Sequence, residues 1–209
     1  MSKQKTVLFG ASVKKLGPLL QEASKRKHSV RAVVYDTSQT DGILQDLNVE
    51  YGHMNNKDKV ADLVKGFNAI IALNEPVYHQ PEDHLRAVKG IVEGAKKAGV
   101  TRVVIIGHPI NYPIENTLEF YAVWKRILQI QREALKVLQS KVALEWFYIH
   151  SPSLEPSPVT GRLSLGNNLL VATPEGVSNF DKGDILREIF TMADVKVAAQ
   201  NRESLLLSI

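Results

Sequence analysis

A strand-to-helix turn near the start of the chain carries residue types that bind phosphate. Residues 6–9 (Thr-Val-Leu-Phe) predict a short apolar strand, Gly10 follows it, and a helix with an apolar stripe through Leu16 comes next. A strand that runs through a glycine turn into a helix is the first unit of a dinucleotide-binding βαβ fold, in which N–H groups at the helix start receive a pyrophosphate. We therefore expect Gly10 to lie at a tight turn. The glycine pattern is incomplete, because Val13 stands where a further glycine would let the phosphates approach.

Three histidines are candidates for catalysis, cofactor contact or metal binding. His108 follows the predicted strand 102–106 and Gly107, at the sheet edge where open α/β folds bind ligands. There it could polarise a substrate carbonyl or contact a flavin or nicotinamide ring; a loop histidine without a chemical role is the equally weighted alternative. His79 and His84 are five residues apart, whereas one helix face needs a spacing of three or four, so we predict no metal site.

Composition limits the classes of function. With 209 residues, 44% of them hydrophobic and 23% charged, the chain is long enough for one α/β domain over residues 1–209. No window reaches the roughly 18 apolar residues of a membrane span, and the N-terminus leads into the first strand without a signal peptide, so we expect a cytoplasmic protein with no membrane partner. The absence of cysteine excludes disulfides and thiolate chemistry. The net charge of +4 is spread over several helices and aromatic residues are 7%, which predicts no nucleic-acid partner.

Alternating strands and helices must position these residues. Apolar runs predict parallel strands, and segments with helical periodicity between them predict helices on both faces of the sheet. The predicted strands are residues 6–9, 29–35, 49–52, 68–73, 102–106 and 144–149, and the predicted helices after the first are residues 43–47, 57–67, 81–98 and 115–139. The pattern predicts an α/β fold with a doubly wound parallel sheet.

The sequence pattern changes after Ser151, where prolines and glycines separate short apolar segments. We predict extended segments at residues 162–165 and 169–172, a helix at 181–193 and a final strand at 204–208. Residues 151–209 therefore form a small C-terminal elaboration, placed on the substrate side of the sheet.

The order of these segments resembles the atypical short-chain dehydrogenase/reductase family labelled NAD(P)H-binding or NmrA-like, including its small NADH-flavin reductases. The resemblance covers nearly the whole chain and implies a Rossmann-type fold. Its early marks are Gly10-Ala11-Ser12, residues 28–36, Gly52-His53-Met54 and residues 98–104. Its later marks are residues 144–152, Glu155-Pro156, Thr160-Gly161-Arg162, Ser178 and Asp184.

The resemblance implies a set of cofactor-binding positions, several of which depart from the family pattern. The set is Gly10, Ser12, Val13, Lys14, Leu16, Tyr35, Asp36, His53, Met54, Leu73, Asn74 and Gly107. Val13 and Leu16 stand where the family has glycines, and His53 stands where it has an aspartate beside the adenine. Tyr35 replaces the arginine that often binds the 2′-phosphate of NADP, and the acidic Asp36 favours NAD. Lys14 could still supply charge for a phosphate, so the preference for NAD is mild.

The sequence Tyr121-Ala-Val-Trp-Lys125 resembles the Tyr-x-x-x-Lys pair of classical short-chain dehydrogenases. In that pair the tyrosine is a general acid toward a carbonyl, and the lysine lowers the pKa of the tyrosine and holds the ribose. A spacing of four places both residues on one helix face. The alternative is a tyrosine packed on the sheet and a solvated lysine, because the family register places Gln129 near the usual lysine position.

The resemblance implies an NAD(P)H-dependent oxidoreductase that transfers hydride to a flavin or another small acceptor, with Tyr121, Lys125 and His108 as candidate catalytic residues. The alternative is a non-catalytic dinucleotide sensor or protein-interaction module on a Rossmann shell, which Val13, Tyr35 and His53 favour. A homodimer is compatible with either function.

Overall fold

The computed structural model describes residues 5–36, 48–74, 80–107, 118–141, 143–150, 168–173, 176–181, 189, 190 and 193. The strands are β1 (Lys5–Ser12), β2 (Ser29–Asp36), β3 (Asn48–Tyr51), β4 (Ala69–Leu73), β5 (Arg102–Gly107), β6 (Glu145–His150), β7 (Asn168–Thr173) and β8 (Gly176–Asp181). The helices are α1 (Val13–Lys25), α2 (Lys57–Val64), α3 (Glu82–Ala98) and α4 (Leu118–Gln139).

The eight strands form one sheet in the order β3-β2-β1-β4-β5-β6-β7-β8. Strands β1 to β6 pair in parallel, whereas β7 is antiparallel to β6 and β8 is antiparallel to β7. The strand order reverses between β1 and β4, since β2 and β3 lie on one side of β1 and the later strands on the other. This topology confirms the predicted Rossmann-type α/β fold, and an antiparallel hairpin extends the sheet beyond β6.

Two apolar layers cover the sheet, as its doubly wound topology requires. On one face, α1 packs Leu16, Leu19, Leu20 and Ala23 against side chains of the central strands. Ile189, Phe190 and Ala193 are buried in the same layer. On the other face α2, α3 and α4 pack against the sheet. Their buried side chains in this layer are Val60, Leu63, Val64, Ala87, Val88, Ile91, Val92, Ala95, Ala134 and Leu138. Strand β4 is buried along its whole length because both of its faces are covered.

Local sequence explains where α2 begins and where α3 ends. The side chain of Asn56 accepts hydrogen bonds from the backbone N–H groups of Asp58 and Lys59, which caps the start of α2. Gly99 ends α3 with a φ of 73°, and its N–H donates to the carbonyl of Lys96.

Two glycines of α3 allow close approach of its neighbours. A Cβ at Gly90 would overlap the carbonyl oxygen of Met54 and lie 2.9 Å from the carbonyl carbon of Asn55. A Cβ at Gly94 would lie 2.5 Å from Cγ1 of Val60. The loop before α2 and the first turn of α2 therefore lie directly against the backbone of α3.

An ion pair ties the amino ends of β5 and β6 to the C-terminal part of the chain. The guanidinium of Arg102 donates from Nε and Nη2 to Oε2 of Glu145, at 2.9 and 2.5 Å. Its Nη1 donates to the carbonyl oxygen of Ala193 at 2.9 Å. Arg102 is 8% exposed, so these bonds replace most of its hydration.

The described elements agree with the predicted ones except in the C-terminal part. Strand β8 was missed, and the helix predicted from residue 181 is wrong at its start, because Asp181 is the last residue of that strand. Residues 176–181 have a weak apolar pattern, so their sequence does not predict a strand. They form one because they pair with β7. The predicted helix 43–47 and the predicted segments 162–165 and 204–208 lie outside the described residues. None of the helices in the described ranges has the length and apolarity needed to cross a bilayer.

Candidate functional site

The carboxyl ends of the six parallel strands meet at one edge of the sheet. The strand order reverses between β1 and β4, and open α/β folds bind their ligands at such a reversal, beyond the carboxyl ends of the strands. Ser12, Asp36, Asn74 and Gly107 are at or directly after the ends of β1, β2, β4 and β5. The strand order thus brings together residues from four separate parts of the sequence.

The junction of β1 and α1 stands in the middle of this edge. Strand β1 ends at Ser12 and α1 begins at Val13, without an intervening residue. The first turn of α1 holds Lys14 and has no acidic residue, so no carboxylate of that turn offsets the partial positive charge of the helix start. Ser12, Val13 and Lys14 therefore lie where a helix would receive an anionic ligand.

Gly10 is a residue of β1, so its predicted place at a tight turn is wrong. Its backbone is in register with Val34 of β2. A Cβ at Gly10 would lie 2.7 Å from Cδ2 of Leu16, which is fully buried. The glycine is required because α1 folds back over the end of β1 and packs Leu16 on it. Gly10 and Leu16, both expected in the phosphate loop, thus hold the strand and helix together.

Three aromatic rings form an exposed cluster at the ends of β2 and β3. Tyr35 stacks on His53 with ring centroids 5.5 Å apart and an angle of 12° between the planes. Tyr51 meets His53 edge-on, and its hydroxyl lies 3.0 Å from Nε2 of His53. Tyr35 is 41% exposed and Tyr51 is 57% exposed. Two large rings thus face solvent beside the strand end that carries Asp36.

Met54 lies next to this aromatic cluster in sequence but faces the core. Its side chain is buried in the apolar layer that contains α2 and α3. The backbone of Met54 runs along Gly90 of α3. The structure therefore gives Met54 a packing role, while His53 is exposed.

At the ends of β4 and β5, a buried hydrogen-bond network surrounds Asn74. The N–H of Asn74 donates to the carbonyl of Ile106 at 2.9 Å, which extends the pairing of β4 with β5 by one residue. The Nδ2 of Asn74 donates to the carbonyl of His84 at 3.0 Å, and Nδ1 of His84 lies 2.7 Å from the carbonyl oxygen of Asn74. On its other side, Nε2 of His84 lies 2.6 Å from the hydroxyl of Tyr148. Leu73, the preceding residue, is buried in the layer under α1.

Burial governs the chemistry of this network. Tyr148 has no exposed surface and His84 is 1% exposed. Burial raises the pKa of the Tyr148 hydroxyl far above its usual range, so the hydroxyl remains protonated. Neither Tyr148 nor the packing of His84 was predicted as part of the site. His84 nonetheless precedes the buried Val88 and Ile91 by four and seven residues, a helical spacing that could have revealed it.

Of the three candidate catalytic residues, the structure describes the backbone of two. Tyr121 and Lys125 both belong to α4, as the spacing of four requires, and the Lys125 side chain is exposed. The described buried residues of α4 in the sheet layer are Ala134 and Leu138, further along the helix. His108 and His79 lie outside the described residues. Among the described part of the chain, no group of three or more side chains is arranged to hold a metal ion.

Comparison with known proteins gives a family match over most of the chain. The family model described as NAD(P)H-binding matches residues 15–186. A protein of Bacillus subtilis (strain 168), the uncharacterized YwnB, is 25% identical over 188 residues, which cover 85% of this chain and 86% of YwnB.

Solved structures give the same architecture. An epimerase candidate from Bacteroides thetaiotaomicron has a TM-score of 0.60 and 25% identity, and the match covers 77% of each chain. The anaerobillin reductase ChuY of Escherichia coli O157:H7 has a TM-score of 0.65 and 19% identity, over 96% of this chain and 95% of ChuY. At that identity the likeness to ChuY shows the fold alone.

Proposed function

Because the chain belongs to the NAD(P)H-binding family, as the resemblance in its sequence predicted, we propose that it is an NAD(P)H-dependent oxidoreductase. Its acceptor would be a flavin or another small molecule. The observation that supports this function most is the position of the β1–α1 junction. A helix start without an acidic residue lies at the reversal of the strand order, where dinucleotides bind in folds of this class.

The described residues fit a dinucleotide along this edge. The pyrophosphate would lie at the start of α1, beside the backbone of Ser12 and Val13, and Lys14 brings a positive charge to the same helical turn. The adenosine end would lie toward β2, where Tyr35 and Asp36 end the strand. Because neither residue is cationic, we propose that NAD is preferred over NADP. The exposed ring of Tyr35 offers a face on which a base can stack.

The chemical end of the site would lie on the other side of β1, over Leu73, Asn74 and Gly107, with His108 adjacent in sequence. A bound NAD(P)H supplies the hydride. The chain would position that cofactor against the acceptor and exclude water from the gap. Tyr121 and Lys125 of α4 are the candidate acid and its cation for a carbonyl acceptor, whereas a flavin acceptor requires positioning alone.

One observation favours the alternative of a non-catalytic sensor or interaction module. Tyr35, His53 and Tyr51 already contact one another at the adenosine end. Val13, at the first position of α1, also replaces a glycine of the family pattern in the same site. A sensor function predicts weak binding without turnover.

Calorimetric titration with NADH and with NADPH tests both functions. We expect micromolar binding of NADH and weaker binding of NADPH. The variant Tyr35→Arg should strengthen NADPH binding, because it adds a cation where a 2′-phosphate would lie. Tyr51→Arg is the matched control, since it adds the same charge one strand further from β1. Absence of binding up to millimolar concentrations of either dinucleotide would reject the oxidoreductase function.

Val13→Gly examines the helix start directly. If Val13 obstructs the phosphates, the glycine variant binds NADH more tightly than the wild type. If the loop has its own working geometry, the variant binds less tightly, because glycine adds backbone freedom at the helix start. Turnover is then measured with NADH and a flavin or quinone acceptor.

A further inference from the structure

Asn74, His84 and Tyr148 come from three elements and meet in one buried chain of hydrogen bonds. Asn74 directly follows β4, His84 lies in the first turn of α3 and Tyr148 lies in β6. The chain runs from the Tyr148 hydroxyl to Nε2 of His84, at 2.6 Å, and from Nδ1 of His84 to the carbonyl oxygen of Asn74, at 2.7 Å. Asn74 is 6% exposed, so all three residues are screened from solvent.

The acceptor at one end fixes the tautomer of the histidine. A carbonyl oxygen only accepts hydrogen bonds, so Nδ1 of His84 must carry the hydrogen. In the neutral ring Nε2 then has a lone pair, which accepts from the Tyr148 hydroxyl. The hydroxyl of Tyr148 remains protonated, because burial raises its pKa. Donation therefore runs in one direction, from Tyr148 through His84 to Asn74.

The network holds Asn74 from three directions. Besides accepting from His84, Asn74 donates from Nδ2 to the backbone carbonyl of His84 and from its own N–H to the carbonyl of Ile106. Its backbone is thus tied to α3 and to β5 at the point where β4 ends. A leucine at residue 84 would continue the apolar face of α3 but would leave the buried carbonyl of Asn74 without this donor.

We propose that His84 is a positioning residue, which in its Nδ1–H tautomer holds the end of β4 at Asn74 in the conformation that receives the dinucleotide. The proposal rests on the proposed function, because it assigns Asn74 to the nicotinamide end of the site. His84 itself touches no bound molecule and acts through the backbone of Asn74.

A set of variants separates this role from packing. The side-chain nitrogen of His84→Asn is as many bonds from Cα as Nδ1 of histidine, so this variant retains a donor for Asn74. His84→Gln places its nitrogen one bond further away, and His84→Leu has no donor. Titration with NADH should show binding weakened about tenfold in His84→Leu and His84→Gln, as expected for one lost hydrogen bond. His84→Asn should remain within about threefold of the wild type, and melting temperatures verify that each variant is folded.

Nitrogen-15 NMR of the histidine rings gives an independent readout. The wild type should show a protonated Nδ1 and an unprotonated Nε2 at His84, with its signal assigned by its loss in His84→Asn. Tyr148→Phe should shift the Nε2 resonance, because its donor is gone, while Nδ1 stays protonated.

The outcomes distinguish this inference from the proposed function. A protonated Nε2 in the wild type, or equal NADH affinity in the wild type and His84→Leu, would overturn the inference while the oxidoreductase proposal stands. If the wild type binds neither NADH nor NADPH, the proposed function fails, and the role of His84 in binding is rejected with it. Rescue by His84→Asn together with the Nδ1–H signal would support the inference.

Discussion

The hydroxyl of Tyr148 occupies the space that a side chain at Gly107 would need. A Cβ built on Gly107 would lie 2.6 Å from Oη of Tyr148 and 2.9 Å from its Cζ. Gly107 ends β5 at the ligand edge, while Tyr148 lies on the neighbouring strand and is fully buried. The absence of a side chain at Gly107 thus lets the tyrosine reach His84 beneath the candidate site.

Gly107→Ala should therefore destabilise the protein by about 1–3 kcal/mol, because the rigid, buried tyrosine cannot move aside cheaply. In a Tyr148→Phe background the same substitution should cost less, since the oxygen in contact with the new methyl group is absent. Urea denaturation of the two single variants and the double variant measures this coupling. Strictly additive changes, within about 0.5 kcal/mol, would contradict the contact.

Alanine at two helical glycines should have opposite effects. Gly90→Ala should destabilise the protein by about 1–3 kcal/mol or more, because the methyl group would overlap the backbone at Met54. Gly17→Ala should stabilise α1 by up to about 1 kcal/mol, because alanine is the better helix former and no described atom lies within 4 Å of the new Cβ. Thermal unfolding of both variants tests the pair of predictions. A stabilised Gly90→Ala would show that α3 does not lie against the loop before α2.

Acid should weaken the protein partly through Glu93. Its hydrogen bond with Lys141, 2.6 Å long, lowers the pKa of the Glu93 carboxyl below the ordinary value of 4.5. A carboxyl with a lowered pKa in the folded state contributes its stability above the ordinary value, and that contribution is lost as pH falls through the folded-state pKa. The contribution should be at most about 1 kcal/mol, as for other exposed ion pairs.

The measurement is the free energy of unfolding at neutral pH and at successively lower pH values below 4.5. Glu93→Gln should be less stable than the wild type at neutral pH, and the two should converge in acid. In a Lys141→Met background, Glu93→Gln should make little difference at any pH. A constant gap between wild type and Glu93→Gln across the pH range would contradict the assignment.

Apolar periodicity was sufficient to predict the six parallel strands and the helices α1 to α4. Strands such as β4 are continuous apolar runs because both faces are covered, and α3 carries an apolar stripe that ends at Gly99. In the hairpin of β7 and β8, an extended segment was predicted at β7, whereas β8 was missed. An antiparallel pair at a sheet edge depends on its partner strand more than on its own composition, and residues 176–181 have a weak apolar pattern.

The candidate site was predictable at the level of strand ends but not of side chains. Ser12, Asp36, Asn74 and Gly107 lie at the common edge because parallel strands place their carboxyl ends together. The packing role of Met54 and the contact of Gly10 with Leu16 depend on distances between elements, which a local pattern does not contain. The link between His84 and Tyr148 joins residues 64 positions apart, and only the register of β6 and the phase of α3 bring them together.

The ion pair of Arg102 also has a consequence for synthesis on the ribosome. Its two partners follow it by 43 and 91 residues. At translation rates of about 5–20 residues per second, the guanidinium emerges roughly 5–20 s before the carbonyl of Ala193. During that interval the residues from β1 to β5 can already pair, and Glu145 becomes available to Arg102 before Ala193 does. The hydrogen bond from Arg102 to the carbonyl of Ala193 is therefore the last of the three to form, after the segment around Ala193 has been synthesised.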